Sequence, residues 1–146
     1  MSLAENKKAR MQYELLDMFD AGVELFGHEV KSLRAGRGQI VGAFVKVRGG
    51  EAYLVGATIP EYQAHNTPAG YEPDRPRRLL LTKQEIAQIA NAEEKQGLTS
   101  VPLAFYNAGQ RLKLKLAIAR GKHKRDKRET IKMREEKRRI ERTLKR

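Results

Sequence analysis

The fold of this chain is decided by residues 100–118, which read SVPLAFYNAGQRLKLKLAI. Every second position from 112 to 118 is Leu or Ile, and most positions between them are Arg or Lys. This period of two is typical of a strand with one face in a core and the other in solvent. Val101, Leu103 and Phe105 alternate in the same way, which places them on one face of a preceding strand. An antiparallel pair with a turn at Asn-Ala-Gly is therefore predicted.

A second hairpin is predicted upstream, in residues 41–57, which read VGAFVKVRGGEAYLVGA. Ala43, Val45 and Val47 share one face of its first strand, and a Gly-Gly pair supplies the turn. Residues 13–27, YELLDMFDAGVELFG, also alternate in part. We expect two short strands there that meet at the Asp-Ala-Gly sequence of positions 20–22.

Two helices are predicted. Residues 28–36, HEVKSLRAG, carry apolar residues at helical spacing, and Gly36 can end that helix in a left-handed conformation. Thr82 with Glu85 forms a capping box for the second, whose apolar stripe is Ile86, Ile89 and Ala90 and whose stop is Gly97. The proline-rich residues 59–76 between them read as a surface loop.

Five or six short strands with one inserted helix predict a mainly β fold. A small closed antiparallel barrel of the OB type is favoured, because closure leaves no exposed strand edges in so small a domain. A split sheet with helices on one face remains the alternative. The barrel is expected to occupy residues 1–119 as one domain, with a basic carboxyl-terminal tail at 120–146.

The tail carries most of the charge. From residue 120 onward the chain has 14 Lys or Arg and 5 Asp or Glu, a net of +9 out of the +12 of the whole chain. Such an extension is expected to bind a polyanion, to be disordered alone and to become helical on its partner. With no apolar run of membrane-spanning length and no secretory signal, we expect a cytoplasmic protein without a membrane partner.

Several kinds of chemistry are not expected. There is no Cys, and the three His residues do not stand at ligand spacings, so no metal site and no cofactor are predicted. No nucleophile elbow or phosphate-binding loop occurs in the sequence. We therefore expect a binding protein that is not an enzyme.

Several motifs resemble the SmpB family, the bacterial SsrA-binding proteins. They are NKKAR at 6–10, AGVELFGHEVKSLRAG at 21–36, RPRRLLLTKQEI at 75–86, VPLAFY at 101–106 and GKHKRDKRE at 121–129. The resemblance covers the chain from about residue 6 to residue 146. It implies an OB-like barrel that binds the tRNA-like domain of transfer-messenger RNA (tmRNA) and brings it to the A site of stalled ribosomes.

The resemblance also implies partners and residues. Expected partners are tmRNA, the small-subunit decoding centre, the empty mRNA channel and elongation factor Tu, with the protein itself a monomer. The positions that the resemblance implies in RNA binding are Asn6, Lys7, Lys8, Tyr13, Asp20, Glu29, Lys31, Arg34, Arg75, Arg77, Arg78, Leu80 and Thr82. Two of them depart from the family pattern, since Asp20 stands where Glu is usual and Thr82 where Asn or His is common. The tail positions expected in the decoding centre are Gly121, Lys122, His123, Lys124, Arg125, Asp126, Lys127 and Arg128.

Alternative interpretations stay open for some of these residues. Glu29 equally suits the first turn of a helix, where an acid is favoured, and Tyr13 also suits a core. The guanidinium groups of Arg75, Arg77 and Arg78 are expected to bind phosphate and to stay out of the interior. Arg125 stands where the family usually has His or Tyr, and its guanidinium group can also stack on a base.

Two other functions are considered, a general OB-type RNA chaperone and a structural ribosomal protein. The five Tyr and four Phe are not clustered along the sequence, which argues against a single-strand stacking platform.

Overall fold

The structure is a computed structural model that describes residues 2–63 and 68–122. Seven strands and three short helices lie in these ranges. In chain order they are β1 (Ser2–Glu5), α1 (Ala9–Gln12), β2 (Tyr13–Val23), α2 (Gly27–Arg34), β3 (Phe44–Arg48), β4 (Glu51–Val55), β5 (Arg77–Leu80), α3 (Lys83–Lys95), β6 (Thr99–Ala108) and β7 (Arg111–Gly121).

The sheet closes on itself. Its strand order is β1-β6-β3-β4-β5-β2-β7, and β7 also pairs with β6, so six strands form a ring. The seventh strand, β1, lies outside the ring and pairs with residues 104–106 of β6. All pairings between these strands are antiparallel. The predicted class, a small closed antiparallel barrel with short helices, is therefore confirmed.

The barrel interior holds the main core. Leu114, Leu116 and Ile118 of β7 point inward, as their alternation predicted, and pack with Leu54 and Leu79 of the opposite wall. The hairpin at β3 and β4 is also confirmed, with Gly49 and Gly50 in the turn at positive φ. β7 runs two residues beyond the predicted domain boundary at 119, to Gly121.

The prediction of two strands within residues 13–27 is wrong, because β2 continues through Asp20 and Gly22 as one strand. Both residues keep their places in the ladder with β7, opposite Lys115 and Lys113. Gly22 is needed there for packing and makes no turn. A Cβ added at Gly22 would lie 3.2 Å from Cβ of Leu80 on β5.

The face assignment of β6 is wrong in part. A bulge between Pro102 and Ala104 breaks the alternation. Phe105 therefore faces the barrel interior, whereas Val101 and Leu103 face outward. Because proline has no N–H to give to a ladder, its position at a bulge is expected.

The outward residues of β6 belong to a second, smaller core outside the barrel. Ala9 of α1 packs there against Val101 and Ala119, with Tyr13, Leu15 and Leu103 around them. Neither α1 nor β1 was predictable from the sequence. Each has only four residues, and neither is long enough to show a period.

The two predicted helices are confirmed as α2 and α3. Gly36 follows α2 at φ +76°, and its N–H donates to Leu33 O at 2.9 Å. Thr82 caps α3 by accepting from Glu85 N at 3.1 Å, while Glu85 accepts from Thr82 N at 3.0 Å. The buried stripe of α3 is Ile86, Ile89 and Ala92, so Ala92 takes the place predicted for Ala90.

The strand β5 follows the proline-rich loop, and sequence alone did not reveal it because residues 77–80 lack alternation of polar and apolar types. Across the two described ranges, the helices are all too short or too polar to span a bilayer.

Candidate nucleic-acid interface

A groove with a basic rim runs along the outside of the barrel between α2 and the strands β5, β2 and β7. Its volume is about 340 Å³. Leu25, Val30 and Leu80 give it an apolar floor, and Leu80 is 49% exposed, which is unusual for a large apolar strand residue. Arg111 and Lys113 line its other side. We call this feature the basic groove.

The strand surface beside the basic groove carries polar and cationic side chains in register. Lys113 lies opposite Gly22 on β2 and Tyr106 on β6, and Lys115 lies opposite Asp20. The hydroxyl of Tyr106 donates to Asp20 Oδ1 at 2.7 Å across β7. This hydrogen bond, helped by partial burial, raises the pKa of Tyr106 to about 12. The phenol therefore stays neutral and positions the Asp20 carboxylate.

The exposed face of α2 extends this surface. Lys31 and Arg34 are both exposed, as their spacing predicted. Arg34 Nη2 donates to the carbonyl oxygen of Gln110 at 2.9 Å, which joins α2 to the turn between β6 and β7. Gln110 lines both the basic groove and a second depression beside Arg34. The two cationic surfaces are therefore continuous.

A buried ion-pair network fixes α2 in place. The carboxylate of Glu29 is fully buried and forms salt bridges with Arg75 and with Arg77, the latter at 2.7 Å. The hydroxyl of Tyr71 lies 3.0 Å from Glu29 Oε2, and Glu29 Oε1 accepts from Phe26 N at 2.7 Å. Because Phe26 has no polar side-chain atom, only this half of a capping box forms.

The environment of Glu29 sets its protonation. Burial by itself raises the pKa of this carboxyl, but hydrogen bonds from Arg75, from the Phe26 N–H and from Arg77 outweigh burial and hold the pKa below its ordinary value of 4.5. Burial, with the hydrogen bond to Glu29, raises the pKa of Tyr71 to about 12. Glu29 is therefore ionised and Tyr71 neutral near pH 7.

The expectation that the arginines of residues 75–78 stay out of the interior is wrong for Arg77. Its side chain is fully buried, and it also donates to Ala57 O at 3.0 Å and to Pro73 O at 2.8 Å. Its donors are used by Glu29 and by these carbonyls, so the guanidinium group is not free for a phosphate. Arg75 is mostly covered, lying over the ring of Phe26 at 4.2 Å from its centroid.

Arg78 is the most exposed of the three arginines. Its guanidinium group reaches Glu24 at 2.9 Å and Glu51 at 3.0 Å, and both pairs are solvent-exposed. Hydrogen bonding to Glu51 raises the pKa of Arg78. Assignment of Glu29, Arg75 and Arg77 to RNA binding stays a prediction, and the full burial of Glu29 and Arg77 is compatible only with an indirect role for these two residues.

Asn6 is buried and anchors the amino-terminal segment. Its Nδ2 donates to Pro102 O at 3.1 Å, and its N–H donates to Leu103 O at 2.8 Å. The carbonyl of Asn6 then accepts from Ala9 N at 3.2 Å, at the start of α1. Lys7 and Lys8 are exposed on the turn between Asn6 and α1. Asn6 therefore presents these two lysines and does not itself reach the surface.

The root of the tail lies beside α1. Gly121 pairs with Tyr13, and Lys122 N donates to Gln12 O at 2.8 Å. Tyr13 is half-buried against the second core, which is the core role left open by the sequence. Thr82 serves as the cap of α3. The predicted tail positions His123, Lys124, Arg125, Asp126, Lys127 and Arg128 lie outside the described residues.

Three contributors to the basic groove and its surroundings were not predicted as site residues: Gln110, Arg111 and Tyr106. The alternation of residues 100–118 indicated a solvent-facing surface on these strands. It could not show that this surface lies beside β2 and α2, because those elements are far away in the sequence. The lysines of β7 were recognisable only as a solvent-facing stripe.

These features define a small β-barrel with a basic groove on its outer surface that is suited to a polyanion. A model of the SmpB protein family matches residues 3–146 of the chain. The chain therefore belongs to the SmpB family.

Relatives support this assignment over the whole length. The SsrA-binding protein of Chelativorans sp. is 49% identical, covering 99% of this chain and 93% of its own. That of Thermosynechococcus vestitus is 43% identical, covering 98% and 94%. A solved structure described as "tmRNA-SmpB: a journey to the center of the bacterial ribosome" is similar with a TM-score of 0.67 and 41% identity, over 82% of this chain and 84% of that one.

Proposed function

We propose that this chain binds the tRNA-like domain of tmRNA through the basic groove and delivers it to the A site of ribosomes stalled in translation. The protein acts as an adaptor in trans-translation and catalyses no reaction. The observation that carries the proposal is the groove itself. An exposed leucine between cationic strands and a cationic helix offers both apolar contact and phosphate contact.

The division of roles follows from chemistry. Lys113, Lys115 and Arg34 have long cationic side chains that can neutralise phosphates, while Leu80 can pack against a ribose or a base. The Asp20 carboxylate would repel a phosphate. It is an acceptor for a 2′-hydroxyl, the group that distinguishes RNA from DNA.

The buried network supports this surface from behind. Glu29, Arg75 and Arg77 hold α2 against β5, and α2 carries Lys31 and Arg34. The three residues of the network therefore influence RNA affinity by positioning the helix. The same logic makes Asn6 a positioning residue for Lys7 and Lys8.

The tail is proposed to act after the barrel has bound RNA. Because β7 holds the chain in the barrel as far as Gly121, the residues after Lys122 are proposed to enter the small-subunit decoding centre and the empty mRNA channel and to become helical there. Their high positive charge supports contact with ribosomal RNA. Elongation factor Tu is a further proposed partner during delivery, and the protein is proposed to act as a monomer.

A competition assay tests the RNA preference. Labelled tRNA-like domain of tmRNA is bound to the full chain at about 150 mM salt and displaced with an unlabelled single strand or a perfect duplex. Both competitors should be much weaker than the unlabelled tRNA-like domain. Equal competition by all three RNAs would overturn the proposal.

A matched pair of variants locates the interface. Lys113→Gln should weaken binding of the tRNA-like domain and lower the slope of log affinity against log salt by about one. Lys95→Gln, at the exposed end of α3, should change neither quantity. Equal effects of both variants would place the RNA elsewhere.

A further inference from the structure

The barrel has a second surface with aromatic and cationic side chains, on the outside of β3 and β4. Phe44, Lys46 and Arg48 of β3 line it together with Tyr53 and Val55 of β4 and with Pro76. We call it the hairpin platform. Phe44 is 39% exposed, whereas its neighbour Val45 is 3% exposed and faces the core.

The register of the hairpin brings the two aromatic residues together. Phe44 lies opposite Val55, and Lys46 lies opposite Tyr53, so Phe44 and Tyr53 are diagonal neighbours on one face. Diagonal neighbours lie about 7–8 Å apart, within reach of aromatic side chains. The sequence alone did not indicate that Phe44 and Tyr53 cluster, because they are nine positions apart along the chain. The recess above them has a volume of about 490 Å³ and is lined mostly by apolar atoms.

The charge around the platform favours a polyanion. Within residues 2–63 and 68–122, the ammonium of Lys46 and the guanidinium of Arg48 form no ion pair. The carboxylate of Glu51, which lies opposite Arg48 in the ladder, instead accepts a hydrogen bond from Arg78. Two uncommitted cations thus flank an apolar aromatic surface.

The platform and the basic groove are lined by different residues. In the ring of six strands, β6 stands between β3 and β7, while on the other side β4 pairs directly with β5, whose Leu80 lines the groove. The side chains of the platform are therefore distinct from those of the groove, and the two surfaces can contact different segments of RNA.

We propose that the hairpin platform binds unpaired nucleotides of a second RNA segment, with bases stacked on Phe44 and Tyr53 and phosphates contacted by Lys46 and Arg48. Single strands fit because every base offers a flat face to an aromatic ring, and because a duplex keeps its bases stacked on one another. This inference goes beyond the proposed function, and it holds whether or not the groove binds tmRNA.

A single tryptophan can report on the stacking. The chain contains no Trp, so Phe44→Trp in the full-length protein introduces the only one. Hexauridylate should quench its fluorescence in a saturable way, and a perfect RNA duplex should not. The quenching should persist when the tRNA-like domain of tmRNA is already bound. No quenching at concentrations where fluorescence anisotropy shows hexauridylate bound would overturn the proposal.

Two variants that keep the surface apolar separate stacking from folding. Phe44→Leu with Tyr53→Leu should weaken hexauridylate binding at least about fivefold and leave affinity for the tRNA-like domain unchanged. Leu80→Ala should weaken binding of the tRNA-like domain and leave hexauridylate affinity unchanged, since Leu80 lies in the basic groove. An unchanged hexauridylate affinity in the double Leu variant would contradict stacking on this face.

Self-association is the competing occupant of an exposed apolar face. If two copies of the chain covered the platform, the tryptophan emission of the Phe44→Trp variant would shift to the blue with protein concentration in the absence of RNA. That result would overturn the RNA proposal. We expect an emission maximum that is independent of concentration.

Discussion

At the scale of single residues, Glu29 shows how far a sequence can be interpreted. Its place in the first turn of α2 was predictable, since acids are favoured there. Its ion pairs were not, because Arg75 and Arg77 are 46 and 48 residues away in the sequence. Only the closed barrel brings β5 under the helix. The sequence left Glu29 equally suited to RNA binding and to the first turn of a helix. In the structure it is a buried residue whose ion pairs anchor α2.

We predict that Glu29→Gln destabilises the fold by about 3–5 kcal/mol, because it leaves the buried guanidinium group of Arg77 without its counter-charge. The free energy of unfolding is measured by urea denaturation near pH 7. Glu51→Gln is the matched control. Glu51 pairs with Arg78 in solvent, so this change should leave the free energy of unfolding almost unaltered. Equal losses of unfolding free energy in the two variants would show that the buried ion pairs of Glu29 do not stabilise the fold more than a surface ion pair does.

The pH dependence gives a second test of the same variant. The pKa of Glu29 is lowered in the folded state, so its stabilising effect is full above the ordinary value of 4.5 and is lost as pH falls through the folded-state pKa. The difference in unfolding free energy between wild type and Glu29→Gln should therefore shrink below about pH 4.5. A difference that stays constant down to low pH would contradict the assigned pKa direction.

At the scale of secondary-structure elements, stretches with a strict period, a turn or a cap were predictable, whereas irregular strands and four-residue elements were not. β7, with its strict alternation, was predicted with the correct face, as was the capping box of α3. α1 has four residues and no side-chain cap, so it depends on Asn6 and on the second core. Tertiary contacts of this kind leave no periodic signal in the sequence. The bulge in β6 similarly put Phe105 on the face opposite to that of Val101 and Leu103.

We predict that Asn6→Ala loosens α1 and the root of the tail without unfolding the barrel. The loss of its side-chain hydrogen bond to Pro102 O should raise amide hydrogen exchange at Tyr13 and Lys122 about tenfold. Exchange at Leu114 and Ile118 in the main core should stay as in wild type. Uniform acceleration across all four amides would instead indicate global destabilisation.

At the scale of the whole molecule, charge is divided between a folded barrel of modest charge and a strongly basic tail. That division was predictable from the positions of the charged residues along the sequence. The position of the tail root was not, since it depends on the pairing of Gly121 with Tyr13. Because β7 continues to Gly121 and Lys122 N donates to Gln12 O, a truncation that removes the tail but keeps both contacts must come after Lys122. The two surfaces proposed to bind RNA, the basic groove and the hairpin platform, are both distinct from this carboxyl-terminal end of β7.

The central claim is that the basic groove is where folded tRNA-like RNA binds, and hydrogen exchange of the full chain tests it most directly. Amide exchange is compared with and without the tRNA-like domain of tmRNA, residue by residue. We predict slowed exchange at Leu80 and from Gln110 to Lys113, with no change at Phe44 and Tyr53. Slowed exchange at the hairpin platform, with none in the groove, would contradict the account.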